Sequence, residues 1–301
     1  MLTSTFCHIP GIGAQTERQL WAQGLRSWQA VNDGGALPLP PRKTQLVRQH
    51  IAESASHLSA GQPGYFYQRL PADQHWRMFP EFQPAVAYLD IETTGLGGPD
   101  DYITTIVLYD GKSIRHYVHG DNLEDFGRDI APYSLLVTYN GKTFDIPFIR
   151  NSLGLAMDQA HIDLRYVLAS LGYRGGLKQC ERRLGLDRKG LRDVDGFFAV
   201  LLWDDYRKGN AKALDTLLAY NTLDVINLAT LMPMAYNMKI KDTPFAADRQ
   251  LAIPTPPELP FQADIGTIER IRRRQGWQEM GVRRSWAPGQ DFLSRLRNEP
   301  L

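Results

Sequence analysis

The sequence predicts a mixed α/β fold in which an antiparallel meander is followed by parallel strands, with helices flanking the sheet. The meander is indicated by three strand patterns, at residues 85–91, 103–109 and 113–118. Asp110-Gly111, between the last two, is typical of a hairpin turn. The buried-strand patterns at 134–139 and 160–163 then alternate with helical patterns, as parallel strands do.

The residues before the sheet predict a small helical unit and a linker. Residues 6–32 are helical in pattern around the turn Ile9-Pro10-Gly11-Ile12-Gly13, and residues 33–41 are rich in proline and glycine. Residues 42–60 again have a helical pattern, whereas residues 61–83 carry aromatic side chains without a clear period.

The residues after the meander predict mostly helix. The predicted helices lie at 122–130, 145–153, 164–171, 177–185, 195–207 and 211–231. The last sixty or so residues contain several prolines and then an arginine-rich segment, so we interpret them as an extension without a core of its own. The predicted units are 1–35, 36–81, 82–238 and 239–301.

Composition is that of a soluble globular protein. The 301 residues are 43% hydrophobic and 22% charged. The net charge of +1 argues neither for nor against nucleic-acid binding. Two cysteines exclude a disulfide framework or a cysteine-rich zinc cluster and favour a reducing, cytoplasmic location. We expect no secretion signal and no membrane association, since the N-terminus lacks a basic and apolar leader and no apolar run could cross a bilayer.

A pair of acids at the end of the first strand pattern points to chemistry. Asp90 and Glu92 are two residues apart after the apolar run 85–89, so on a strand both side chains face one side. Hard divalent cations prefer such oxygen ligands. Thr93-Thr94-Gly95 then predicts a turn out of the strand.

Further residues complete an acidic set. Asp145 follows the strand 134–139 near the start of a helix, and Tyr220 and Asp224, four residues apart, share one face of the helix 211–231. Hydrolysis of a phosphodiester needs an activated nucleophile and stabilisation of negative charge, which two divalent ions about 4 Å apart can supply. Four carboxylates are enough to hold such a pair, and the tyrosine hydroxyl could orient the attacking water.

These motifs resemble those of the DEDD (DnaQ-like) 3′–5′ exonucleases. The segment 90–95, Asp-Ile-Glu-Thr-Thr-Gly, is similar to their first motif, and 140–145, Asn-Gly-Lys-Thr-Phe-Asp, to their second as found in family B polymerase proofreading domains. The Tyr220 to Asp224 spacing resembles the third motif of the tyrosine subgroup (DEDDy), because the histidine subgroup would have His where this chain has Ala219. Over roughly residues 82–235 the chain most resembles the YprB-type RNase H-like exonuclease domain.

The resemblance implies an RNase H-like fold, two Mg²⁺ or Mn²⁺ ions, and removal of nucleotides from a 3′ end. By position, Asp90, Glu92 and Asp224 would bind the metals directly and Asp145 through water, while Tyr220 would position the nucleophile. We expect single-stranded DNA as the substrate, with RNA also open.

Weaker signals predict nucleic-acid contacts. The candidates are Thr93, Thr94, Gly95 and Leu96 in the first turn, Asn140, Lys178, Gly11 and Gly13. Lys178 begins a cationic segment that is either a rail for phosphates or a solvated helix face balanced by Glu181 and Asp187. His161 and Asp163 lie near the expected site, although Asp163 is also typical of a helix N-cap.

Both ends of the chain leave alternatives open. The Pro10-Gly11-Ile12-Gly13 turn resembles the hairpin of helix-hairpin-helix units, whose glycines approach a DNA phosphate; alternatively it is a plain turn packed through Trp21 and Trp28. The tail either binds nucleic acid or docks a partner. Its arginines and tryptophans are Arg270, Arg272, Arg273, Arg274, Arg283, Arg284, Trp277 and Trp286.

Two rival functions remain at this point. One is an endonuclease of the same broad fold, and the other is a non-catalytic nucleic-acid-binding module. An Asp-x-Glu alone is usually a solvated strand edge, so the prediction depends on all four acids meeting in one pocket.

Overall fold

A computed structural model describes residues 1–192 and 194–282, with side chains omitted for Lys189 and residues 276–282. The chain divides into two compact units, Met1–Ala263 and a second that begins at Asp264. The described part of the second unit is one helix, Ile265–Val282.

One five-stranded mixed sheet lies at the centre of the first unit. Its strands are β1 (Val86–Thr93), β2 (Ile103–Tyr109), β3 (Ile114–Val118), β4 (Leu135–Thr138) and β5 (Ala160–Asp163). Their order is β3-β2-β1-β4-β5. β1 pairs antiparallel with β2, as does β2 with β3, whereas β1 with β4 and β4 with β5 pair in parallel. The predicted meander and parallel strands are thus confirmed.

Eleven α-helices are described in the first unit, together with short 3-10 turns. They are α1 (Ala14–Ala22), α2 (Trp28–Asn32), α3 (Pro41–Ser59), α4 (Pro63–Tyr67), α5 (Phe79–Phe82), α6 (Phe126–Ile130), α7 (Asp145–Leu153), α8 (Leu164–Ser170), α9 (Leu177–Arg183), α10 (Gly196–Arg207) and α11 (Ala211–Ile240). The 3-10 turns are Leu2–Ser4, Ala72–Met78, Gln83–Ala85, Leu123–Asp125 and Lys189–Leu191. α11 is 30 residues long and extends nine residues beyond its predicted end at 231.

The two faces of the sheet pack into different hydrophobic clusters. Along β1, Ala87, Leu89 and Ile91 point into a cluster with residues of α6 and α7. Val86 and Tyr88 point to the other side, into a larger cluster that includes residues of α8 and α11. Because side chains alternate along a strand, Asp90 and Glu92 lie on the face that α11 covers.

The N-terminal segment contributes to that larger cluster, which extends from Met1 to Phe245. Trp21 Nε1 donates to Ser4 O at 2.9 Å and Trp28 Nε1 to Thr5 O at 2.8 Å, so both buried indoles are anchored. Packing through these tryptophans is therefore observed, while the predicted division at residues 35 and 81 stays a prediction. Within the described residues, no helix is long and apolar enough to cross a membrane.

Candidate active site

The first motif lies at the carboxyl end of β1, beside an irregularity in the sheet. Glu92 pairs with Thr105 of β2, but Thr93 pairs with Ile103, so β2 carries one extra residue at this point. Such bulges bend a strand and re-aim its side chains. The regular pairing of β1 with β2 is therefore interrupted directly after the two acids.

Three acids from two elements converge there. Asp90, Glu92 and Asp224 each offer a carboxylate oxygen, and these atoms lie within 4.8 Å of one another. Glu92 and Asp224 are buried, whereas Asp90 is partly exposed. Among the described residues no other group of three His, Cys, Asp or Glu side chains is this compact. The oxygen-only set suits a hard divalent cation.

Asp145, the fourth predicted acid, lies beside this triad without being part of it. It is the first residue of α7 and is 3% exposed. Its charge is close enough to raise the pKa of Asp90, after burial itself the next largest cause. The structure thus brings all four predicted acids together, with Asp145 at the edge.

The electrostatics of the site fit a bound cation. Burial, and then repulsion from neighbouring carboxylates, raises the pKa of Asp90 and Glu92 well above ordinary values. Burial also raises the pKa of Asp145 to about 7. Such shifts mean that negative charge is undercompensated here, and a divalent ion would supply the missing positive charge.

Asn221, which the sequence analysis did not single out, fixes Asp90. Its Nδ2 donates to Asp90 Oδ2 at 2.7 Å, and its Oδ1 accepts from Thr105 Oγ1 at 3.0 Å. The amide is therefore oriented by β2 and holds the carboxylate from α11. In the sequence, the only feature that could have pointed to Asn221 as a site residue was its position between Tyr220 and Asp224.

Tyr220 lies buried between two cations. Lys178 Nζ is 4.5 Å from the centroid of its ring and Arg188 Cζ is 5.3 Å away. Burial, followed by the charges of Asp224 and Glu92, raises the pKa of Tyr220 well above 10. The phenol therefore stays protonated near neutral pH and can donate a hydrogen bond, but it cannot serve as a base.

Lys178 belongs to the site. Its ammonium group donates to Val194 O, and burial lowers its pKa. It also stabilises the charged form of Glu92. Arg188 and Glu181 are buried too, so neither alternative for the cationic segment, a phosphate rail or a solvated face, describes them.

The second motif is a loop held by Asp163. The carboxylate of Asp163 accepts from the backbone N–H groups of Asn140 at 2.7 Å, Lys142 at 3.1 Å and Arg165 at 3.0 Å. The last bond is the N-cap of α8, so the capping role is observed. Asn140 adopts the left-handed region, with φ 67°, and its Oδ1 accepts from Arg165 and from Thr143 Oγ1.

His161 supports the same loop from below. Its Nε2 is 2.7 Å from Thr138 Oγ1, and burial lowers its pKa to about 3. Thr138 Oγ1 in turn accepts from Gly141 N at 3.1 Å. His161 and Asp163 thus act on the site through the loop that leads to Asp145.

Gly141→Ala is expected to destabilise this loop. A Cβ at Gly141 would lie 2.3 Å from Thr138 Oγ1, so the loop or the strand must move, at a cost of about 1–3 kcal/mol. Urea unfolding measures the loss. Gly64→Ala in α4 is the control, since its Cβ meets nothing within 4 Å and should not destabilise. Equal stabilities for wild type and Gly141→Ala would contradict this packing.

The turn after β1 presents a side chain to solvent. Thr93 Oγ1 donates to Gly95 O at 2.6 Å, and the Asp101 carboxylate accepts from Gly97 N at 3.0 Å and Gly98 N at 2.7 Å. Thr94 Oγ1 accepts from Tyr102 N at 3.0 Å. These bonds fix the turn, in which Leu96 is 45% exposed.

An aromatic and cationic patch adjoins the second-motif loop. The ammonium group of Lys142, which is exposed, lies 5.9 Å from the ring centroids of both Tyr67 and Tyr166. Arg165 is exposed on the same loop–helix junction. Proteins bind single-stranded nucleic acid through such groups, because aromatic faces stack on the bases and cations neutralise the phosphates.

The predicted contacts near the chain ends are placed as follows. Gly11 has φ +78°, and Gly13 is the N-cap of α1. A shallow depression at this turn is lined by both glycines and by Arg69. In the second unit, Arg272, Arg273 and Arg274 are exposed on the helix. Arg283, Arg284 and Trp286 lie outside the described residues, and the Trp277 side chain is not described.

The comparison with protein-family models agrees with this fold. Residues 87–236 match the sequence model of a family described as the RNase_H superfamily. A solved structure that matches is the family B DNA polymerase from the hyperthermophilic archaeon Pyrobaculum calidifontis, with 18% identity and a TM-score of 0.37. That match covers 50% of this chain and 25% of the polymerase chain. No curated protein matches the chain.

The chain therefore contains an RNase H-like domain over residues 87–236, and the predicted fold is confirmed. This domain, with an acidic triad able to bind a divalent metal, supports nuclease activity on nucleic acid in general.

Proposed function

We propose that this protein is a metal-dependent 3′–5′ exonuclease that acts on single-stranded ends, with DNA as the favoured substrate. The observation that carries the proposal is the convergence of carboxylate oxygens of Asp90, Glu92 and Asp224 within 4.8 Å, together with Tyr220 on the same face of α11 as Asp224. The order of these residues along the chain is that of the DEDDy motifs.

The residues have distinct tasks in this proposal. Asp90, Glu92 and Asp224 would hold Mg²⁺ or Mn²⁺, with Asp145 at the edge of a second ion. Two bound ions would activate water and stabilise the charge of the departing oxygen. Tyr220, protonated at neutral pH, donates a hydrogen bond that orients the attacking water. Asn221 keeps Asp90 in place.

Substrate contacts are proposed around these acids. Leu96 offers an exposed apolar surface for the terminal base of the nucleic acid. The patch of Tyr67, Lys142 and Tyr166 offers aromatic faces and a cation for the nucleotides that precede that base. Asn140 and Lys178 are proposed to contact the reacting end of the substrate. Gly11 and Gly13, far earlier in the chain, are proposed as a separate backbone contact to phosphate.

Digestion of end-labelled oligonucleotides tests the proposal. A 5′-labelled single strand should shorten stepwise with Mg²⁺ or Mn²⁺, and EDTA should stop the reaction. A closed single-stranded circle should stay intact; its cleavage would instead indicate an endonuclease. Matched DNA and RNA strands, single and double, define the preferred substrate. Nucleic-acid binding without any cleavage, and without divalent-ion binding by calorimetry, would favour a non-catalytic module.

Tyr220→Phe is expected to reduce the exonuclease rate less than loss of an acid. The substitution removes the hydroxyl that orients water but leaves the metal-binding carboxylates in place. Steady-state kinetics on the same oligonucleotide measure the effect, with Tyr173→Phe as the control because that ring stacks on Arg183 at 4.7 Å outside the acidic cluster. An effect as large as that of Asp90→Asn would assign Tyr220 a greater role than orientation.

A further inference from the structure

A buried chain of polar groups connects α9 to α11 behind the acids. Asn227 Nδ2 donates to Glu181 Oε1 at 2.8 Å, and Arg188 Nη1 donates to Glu181 Oε2 at 2.6 Å. Arg188 Nη2 then donates to Asp224 Oδ1. The side chain of Glu181 is 0% exposed and that of Arg188 is 5% exposed. We call Glu181, Arg188 and Asp224 the Arg188 bridge.

The charges of the bridge depend on one another. Burial alone would lower the pKa of Arg188, but Asp224 and Glu181 raise it, so the guanidinium stays charged. Burial and the nearby Asp224 raise the pKa of Glu181, while Arg188 opposes that rise. A buried ion pair leaves a costly unpaired charge if one partner is removed. Arg188 therefore cannot leave Asp224 freely, since Glu181 holds it from the other side.

The geometry of the Arg188 guanidinium also orients Asp224. It is planar and presents its donors in a rigid fork. Because Glu181 fixes Nη1, the direction in which Nη2 donates is also fixed, and Asp224 Oδ1 accepts the hydrogen bond in that direction. This bond restricts the rotation of the Asp224 carboxylate, one oxygen of which lies within 4.8 Å of carboxylate oxygens of Asp90 and Glu92.

We infer that Arg188 is a positioning residue that fixes Asp224 for divalent-metal binding, with Glu181 as its anchor. This inference rests on the proposed function of the acidic site. In this inference Asp224 serves both partners, since a carboxylate can accept a hydrogen bond from Arg188 and still bind a metal ion. The opposite role, a cation that competes with the metal for Asp224, would need a guanidinium able to swing away, and the bond to Glu181 opposes that.

The two roles predict opposite changes in metal affinity. If Arg188 positions Asp224, its loss frees the carboxylate to rotate and weakens metal binding. If Arg188 competes, its loss removes a positive charge and tightens metal binding. If Arg188 only stabilises the fold, metal affinity stays unchanged.

Titration calorimetry of the full chain with Mn²⁺ tests this inference. We expect Arg188→Gln to weaken Mn²⁺ binding at least about tenfold, within the range found when supports of metal ligands are lost. Arg77→Gln is the matched control, because Arg77 is also 5% exposed and pairs with buried Glu17 at 2.8 Å in the N-terminal segment. Both variants should have lower melting temperatures, but only Arg188→Gln should bind Mn²⁺ more weakly.

Two further variants keep the test decisive if Arg188→Gln folds poorly. Arg188→Lys keeps the positive charge beside Glu181 but loses the fork, so it should fold and still bind Mn²⁺ more weakly. The double variant Glu181→Gln, Arg188→Gln removes both buried charges and should regain stability without regaining affinity. Recovery of wild-type affinity in either variant would overturn the inference.

The outcomes separate this inference from the proposed function. Unchanged or tighter Mn²⁺ binding by Arg188→Gln, in a protein whose wild type degrades 3′ ends, overturns only the role of Arg188. Weaker binding by Arg188→Gln, in a protein that cleaves no nucleic acid, supports the role of Arg188 and overturns the exonuclease proposal. A wild type that binds no Mn²⁺ overturns both.

Discussion

Asp90→Asn and Asp224→Asn are each expected to lower the rate of nucleotide release about a hundredfold or more. Each change keeps the size of the side chain but removes a charge that the metals need. Losing a partner that merely supports a metal ligand already costs 10–100-fold, so losing a ligand should cost at least the upper value. The two residues come from β1 and α11, so equal losses would show that both elements serve one centre.

The measurement is stepwise shortening of a 5′-labelled single strand under saturating Mg²⁺ or Mn²⁺. Asp158→Asn is the control, because its side chain is 84% exposed and its ion pair with Arg150 is long, at 3.7 Å. Circular dichroism confirms that each variant is folded. Full activity in Asp90→Asn, or cleavage that persists in excess EDTA, would refute the metal-dependent mechanism.

In the metal-free protein, the carboxyl groups of the site are expected to contribute less to stability as pH rises from about 4 to about 7, whereas buried His161, whose pKa is lowered to about 3, contributes in the opposite direction. Burial raises the pKa of Asp145 from 3.8 to about 7, and the pKa values of Asp90 and Glu92 move in the same direction. Between these pH values the three carboxyl groups hold protons in the folded protein that they have released in the unfolded chain, so their contribution to the free energy of unfolding falls with rising pH. For Asp145 alone the change is on the order of 4 kcal/mol.

Divalent metal should reverse this trend. A cation bound to the ionised carboxylates stabilises the folded state most at the pH where those groups carry charge. Urea unfolding in EDTA and in Mn²⁺, at pH 5 and pH 8, measures both effects. Asp145→Asn is the informative variant, since removing this titrating group should flatten the profile in EDTA. If the stability difference between wild type and Asp145→Asn in EDTA were the same at pH 5 and pH 8, the raised pKa of Asp145 would be contradicted.

The sequence was sufficient to predict the central sheet and the acids. Strand patterns are local, and the pairing of Asp90 with Glu92 follows from the alternation of side chains along β1. Asp145 was predicted because it follows a buried strand, and Asp224 because a helix repeats its faces. Asp145 approaches Asp90 because β4 pairs in parallel with β1, and Asp224 approaches because α11 packs on β1.

The supporting residues could not be predicted, because their roles depend on long-range contacts. Asn221 holds Asp90 across 131 residues, and Arg188 holds Asp224 across 36. In the sequence Arg188 and Glu181 resemble solvated charges, and only the fold shows that they are buried together. The length of α11 was underestimated for a similar reason: its last turns are stabilised by burial against the N-terminal aromatic residues, such as Trp76 against Tyr236 at 5.3 Å.

α11 carries Tyr220, Asn221, Asp224 and Asn227 on less than three turns of one continuous helix. The proposed water-orienting donor, the residue that holds Asp90, one proposed metal ligand and the residue that bonds to Glu181 therefore all move with one helix. Rotation of α11 or its translation along its axis would displace all four residues together, so we expect the site to form or to be lost as a unit. Substitutions at buried positions of α11 far from the site should therefore abolish catalytic turnover although they contact no reacting group.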